Sequence, residues 1–345
     1  MLARDPWLLP SAAAFLDEIE AAHDAGIAII VADPSMPGGW ERALMARLRI
    51  RGQDVLSARA EAGCLPAAVV ADELHCPRTL QALVEPRHLG TSVIVDLSAL
   101  GAEARADWCT FLGRFKEARE RAETGVTLVV AGGQPSDKLP SGLRRLHWDS
   151  RLRRLDVAIW ADLNTPDERT EPLATLATAL GVELCCWRLD LAAEIARSSR
   201  SDLIDPISWL ERRDSALISG ERSFGGSPMR CPIAVLRDGD RAELERRVWR
   251  AHLSALFPWI EDLRQAVITR HRGRLRVDDH LRNLGVRDIK EIEFGALAWQ
   301  LRSQVDLYEA ARLDCLARIR NALAHRKPAS PEDLELALKG YVTSR

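Results

Sequence analysis

Within the first 165 residues, short apolar runs alternate with helix-length amphipathic segments, and few folds accept that rhythm. The runs are residues 26–31 (GIAIIV), 67–70 (AAVV), 91–95 (TSVIV), 126–130 (VTLVV) and 156–160 (DVAIW). Most are rich in β-branched side chains, whose stiff rotamers suit a pleated sheet. Continuous rather than alternating hydrophobicity predicts strands buried on both faces, as in a parallel sheet. Helical segments between them, such as 41–49 and 102–123, supply the crossovers. The expected architecture is an α/β layer with a mainly parallel sheet.

Beyond residue 165 the periodicity turns helical. Helices are expected over 170–180 and 190–199. A polar, glycine-containing stretch follows at 219–232 (SGERSFGGSPMRCP) and reads as a linker or mobile loop. After a boundary near Arg237, residues 241–270 form a long amphipathic segment. Pro258 inside it is expected to kink the helix, because proline removes a backbone donor and clashes with the preceding turn. Helices over 288–304, 305–323 and 331–340 would complete a bundle; the last begins Ser330-Pro331-Glu332-Asp333, a helix-start signature. The expected division is an α/β core over 1–165, a helical extension and linker over 166–237, and an all-α bundle over 238–345.

Charge and cysteine content narrow the function. With 48 basic against 50 acidic residues the net charge is −2, so no global basic field draws the chain to nucleic acid. The basic run at 144–154 (RRLHWDSRLRR) is expected to be a solvated surface. Seven scattered cysteines form no C-x-x-C pair, and Cys185-Cys186 read as core thiols; the expectation is a reduced, cytoplasmic protein. The N-terminal segment carries acids among its apolar positions, as an amphipathic helix does and a signal peptide does not. No apolar run approaches the roughly 20 residues a membrane crossing needs. Asp72-Glu73-Leu74-His75-Cys76 has ligand types, but crowded together after a strand they read as a loop, and no metal is expected.

Two motifs carry the functional expectations. The first is a strand, glycine-containing loop and helix, GIAIIVADPSMPGGWERALMARL, at the place a phosphate-binding loop would occupy. A working loop reads G-x-x-x-x-G-K-[ST]. Aligned on Gly38, this chain has Asp33 at the first glycine, Gly39 at the lysine and Trp40 at the hydroxyl. A second strand, SVIVD, ends in Asp96, where magnesium would be held, with Leu97 following. Order and spacing resemble the P-loop ATPases of the AAA and STAND type. The resemblance marks Gly38, Gly39 and Asp96 as cofactor-binding positions, and the substitutions imply a pseudo-ATPase with no cofactor.

The second motif lies in LDCLARIRNALAHRKP. Arg320, Asn321 and His325 spell R-N-x-x-x-H, which resembles the signature of the HEPN family of helical domains. In its ribonucleases the resemblance implies metal-independent RNA cleavage at a homodimer interface. His325 would then act in acid–base catalysis, Arg320 would stabilise the phosphate charge, and Asn321 would orient the phosphate or hold His325. In noncatalytic members the same residues tie helices together, with Arg320 pairing an acid such as Glu291 or Glu293. Joined modules of this kind resemble bacterial conflict and antiphage systems. The expected function is a regulatory or scaffolding subunit of such a system, acting through a protein partner or a homodimer of the bundle. The alternative is an RNA-cleaving effector.

Overall fold

The first unit is built on a five-stranded parallel sheet in the order β2-β3-β4-β1-β5. The strands are β1 (Ile27–Val31), β2 (Asp54–Arg59), β3 (Thr91–Asp96), β4 (Thr127–Ala131) and β5 (Arg145–His147). The computed structural model describes residues 5–133 and 137–339, and the chain's contacts divide it into two units at Leu152/Arg153. In the first unit the connecting helices are α1 (Pro10–Asp24), α2 (Trp40–Ile50), α3 (Pro66–Glu73), α4 (Leu80–Leu83) and α5 (Ala102–Ala122). β4 is buried along its whole length and β3 along most of it, which accounts for their unbroken apolar runs. One core forms from Val93, Val95, Leu128 and Val130 with Trp108, Leu112 and Phe115 of α5.

Two expected strands are helices. Residues 67–70 lie in α3, where Pro66 sits at the first helical position and the alanines favour helix over strand. Residues 156–160 lie in the second unit, in α6 (Arg154–Asn164), whose Asp156 carboxylate accepts the Arg153 backbone N–H at 2.7 Å. The strands that replace them are β2, a sheet-edge strand in which polar residues interrupt the apolar ones, and the three-residue β5.

The second unit is almost wholly helical. It comprises α6, α7 (Leu173–Glu183), α8 (Leu189–Arg197), α9 (Arg200–Ile204), α10 (Pro206–Glu211), α11 (Pro232–Arg237), α12 (Arg241–His271), α13 (Asp279–Asn283), α14 (Phe294–Leu301), α15 (Leu307–Ala324) and α16 (Pro331–Leu338). α12 continues through Pro258 and packs on both α7 and α15. The stretch expected to be a linker instead contains a hairpin, β6 (Glu221–Phe224) and β7 (Ser227–Arg230). Gly225 and Gly226 make its two-residue turn with φ of +61° and +82°, the conformation a tight hairpin requires. This hairpin is fixed by Arg247, 1% exposed, which donates to the Arg230 carbonyl at 3.2 Å, the Cys186 Sγ at 3.3 Å and the Glu243 carboxylate at 2.8 Å. Cys185 and Cys186 are both buried. Among the described residues no helix is long and apolar enough to cross a membrane.

Candidate functional site

In open parallel sheets, ligands bind outside the carboxyl ends of the strands. At that edge lie the loop after β1, the Asp96 end of β3 and the Gly132 end of β4. Gly39 is the N-cap of α2 with φ +81°, so the loop turns into the helix through a left-handed residue. The Gly38 carbonyl accepts a hydrogen bond from the Trp7 indole at 3.0 Å. Trp7 in turn packs on the buried Trp148 (5.3 Å between centroids), which also meets Phe15 edge-on at 5.2 Å. An aromatic cluster therefore holds the loop from behind.

Three acids, Asp33, Glu41 and Asp96, stand at this edge. Asp33 turns inward on its own loop, its carboxylate accepting the Ser35 N–H at 2.7 Å. Asp96 does the same after β3, accepting the Ser98 N–H at 2.8 Å and hydroxyl at 2.9 Å. Burial raises the Glu41 carboxyl above the ordinary carboxylate range, and the charge of Asp96 raises it further. Two carboxyl groups thus sense each other where a phosphate loop would place lysine and magnesium. The loop carries no lysine, and these carboxylates repel an incoming triphosphate; the nearby cation is Arg42, whose Nη2 would stand 3.6 Å from a Cβ at Gly39. Gly132 (φ +87°) lies so close to the β3 end that an added Cβ would stand 2.6 Å from the Ser98 nitrogen.

The second candidate occupies the end of α15. Arg320 is half-buried and donates from Nη2 to a Glu293 carboxylate oxygen at 2.9 Å, while its buried Nε has no hydrogen-bond partner among the described residues. Asn321 and His325 are exposed. His325 is the C-cap; Arg326 follows with φ +59°, and its N–H bonds the Leu323 carbonyl at 3.2 Å while that of Lys327 bonds the Ala322 carbonyl at 2.9 Å. These two bonds form a Schellman motif, with arginine where glycine is usual. The Trp249 indole adds a bond to the Leu323 carbonyl at 2.8 Å, tying this helix end to α12. Just beyond, the Ala329 N–H donates to Nδ1 of the buried His252 at 3.2 Å.

At 100° per residue, positions 320 and 325 point about 140° apart around α15, whereas 321 and 325 lie about 40° apart. One chain therefore presents Asn321 and His325 together and turns Arg320 towards Glu293. Trp7, Glu41, Trp249 and His252 were not singled out from the sequence for these roles. Each acts on a backbone group or a charge far away along the chain, which leaves no local signature.

Other sequence features have local structural explanations. The Asp72 carboxylate is bridged by Arg78 at 2.7 and 3.0 Å. In the basic run, Arg151 pairs with Glu18 at 2.9 Å and lies over the Phe15 ring, and Arg154 pairs with Glu183. Among the described residues no group of three or more His, Cys, Asp or Glu stands together as a metal site. Compared with protein-family models and with curated proteins, the chain matches neither.

Proposed function

We propose that this chain is a noncatalytic regulatory or scaffolding subunit, in which a degenerate P-loop-like unit is joined to a HEPN-like interaction bundle. The observation that carries the proposal is the Arg320–Glu293 pair. A guanidinium already neutralised by a carboxylate is poorly placed to stabilise charge developing on a phosphate. The same pair joins α15 to the start of α14, and the Trp249 indole on the Leu323 carbonyl joins this helix end to α12, which supports a helix-tying role. Exposed Trp299, Leu307 and Tyr308 on α14 and α15 support a bundle that meets a protein partner or a second copy of itself. For the other unit, the support is the absence of lysine from the loop together with the facing Glu41 and Asp96. Placement in a bacterial conflict or antiphage system rests on the pairing of the two resemblances.

The test is direct. Purified protein is incubated with total RNA in the absence of metal, beside an Arg320→Ala/His325→Ala variant. Intact RNA in both is expected; cleavage that disappears in the variant would overturn the scaffold reading in favour of the metal-independent ribonuclease. A melting scan with ATP and magnesium is expected to show no stabilisation, and a clear upward shift would refute the pseudo-ATPase assignment. Light scattering on the eluting protein tests for the homodimer.

A further inference from the structure

At the opposite edge of the sheet, where Gly26 leads into β1, α1 and α5 enclose a groove of about 420 Å³. That is within the range of small-molecule sites. Its walls are largely apolar, from Ala21 and Ala22 of α1 and its C-cap Ala25 together with Ile27, Leu143 and Leu146. The groove exists because α1 presents alanines here.

One half-buried cation in the groove has no carboxylate partner among the described residues. Arg119 of α5 lies across Gly26, so closely that a Cβ there would stand 2.5 Å from its Nη1. Its Nε donates to the Val126 carbonyl at 3.3 Å. No ion pair reaches this guanidinium among the described residues. Two buried arginines elsewhere each hold an acid, Arg188 with Asp190 and Arg247 with Glu243. The remaining charges of the groove are largely matched: Lys116 pairs with Glu120 at 3.0 Å, and Glu18 is held by Arg151. Arg144 stands exposed at the rim. Burial also lowers the pKa of Arg119 from its ordinary value, the signature of a cation deprived of water without compensation.

We propose that this groove binds a small organic monoanion, a carboxylate carrying a hydrocarbon or aryl body, with its headgroup on Arg119. A guanidinium fork matches a carboxylate in two parallel hydrogen bonds, and the alanine wall takes the apolar body. The site is separate from the Asp96 edge and from the α15 motif, so its fate is independent of the regulatory reading.

The experiment is calorimetric titration of the full chain with 4-phenylbutyrate and with 4-phenylbutan-1-ol, its uncharged counterpart. The acid is expected to bind saturably at one site, and the alcohol at least tenfold more weakly. Arg119→Met should weaken the acid at least tenfold, and Arg119→Lys should restore part of the affinity. Ala22→Leu, which fills the groove and leaves every charge in place, should weaken both ligands; it keeps the test decisive if the methionine variant folds poorly by circular dichroism. Absence of saturable binding would overturn the proposal. So would equal binding of acid and alcohol, or affinity unaltered by Ala22→Leu. Inorganic phosphate binding as tightly as the acid would overturn the apolar half of the assignment.

Discussion

Acidification should unfold the second unit through His252. This residue on α12 is 1% exposed, and burial pushes its pKa down from 6.5 to about 4. Its Nδ1 accepts from the Ala329 N–H, so the neutral ring carries its proton on Nε2, which is buried without a partner among the described residues. The unfolded chain takes up a proton near pH 6.5, whereas the folded protein resists it until about pH 4. The unfolded state therefore binds more protons across that window, and stability falls as pH drops through it. Full stability is present above pH 6.5 and is lost towards pH 4. At about 1.4 kcal/mol per pH unit over some 2.5 units, the loss is roughly 3 kcal/mol. Carboxylates titrate over the lower part of this range, so the quantity to read is a difference. Urea unfolding of the wild type and of His252→Asn, whose side-chain oxygen can still accept from Ala329, would be followed from pH 7.5 to 4.5 by circular dichroism. The wild type should lose about 2–3 kcal/mol more than the variant over that range. Parallel pH profiles for the two proteins would refute the reasoning.

Other substitutions test the remaining contacts. Gly132→Ala forces a Cβ to 2.6 Å from the Ser98 backbone nitrogen at φ +87°, and should cost more than about 2 kcal/mol, read as a lowered melting temperature. Trp7→Phe keeps an aromatic ring against Trp148 but removes the donor to the Gly38 carbonyl; a loss of about 1 kcal/mol in a urea titration is expected. Arg247→Met deprives the hairpin carbonyl of Arg230 of its anchor and leaves Glu243 with only Arg246, for a loss of about 3 kcal/mol that Arg247→Lys should only partly recover.

The sequence made the buried strands readable and the marginal ones unreadable, for physical reasons. β1, β3 and β4 lie inside the sheet, covered on both faces, so burial itself writes their apolar runs. β2 lies at an edge and β5 is three residues long. Their pairing with β3 and β1 is decided by residues distant in the chain, and neither leaves a run to detect. The false strands at 67–70 and 156–160 were apolar windows too short for periodicity to separate helix from strand. The proline before one and the capping aspartate inside the other carried the deciding information. At the α15 motif, pairing of Arg320 with a nearby acid was legible, because Glu291 and Glu293 both open the preceding helical segment; the choice of Glu293 was not. His252 was invisible because its partner is a backbone N–H 77 residues away.

The strand order also governs when the first unit can assemble. β1 is made early, yet both of its neighbours, β4 and β5, come from residues 127–131 and 145–147. β2, β3 and β4 are successive in the chain and adjacent in space, so they can associate as they emerge from the ribosome. β1 cannot join them until about 100 more residues have been added, which at 5–20 residues per second takes roughly 5–20 s. Throughout that interval IAIIV, a short, uncharged and strongly β-forming segment, lacks both strands it pairs with in the folded sheet and is open to association with a neighbour on the same polysome. The time taken to synthesise residues 31 to 147 therefore sets how long this strand stays unpaired.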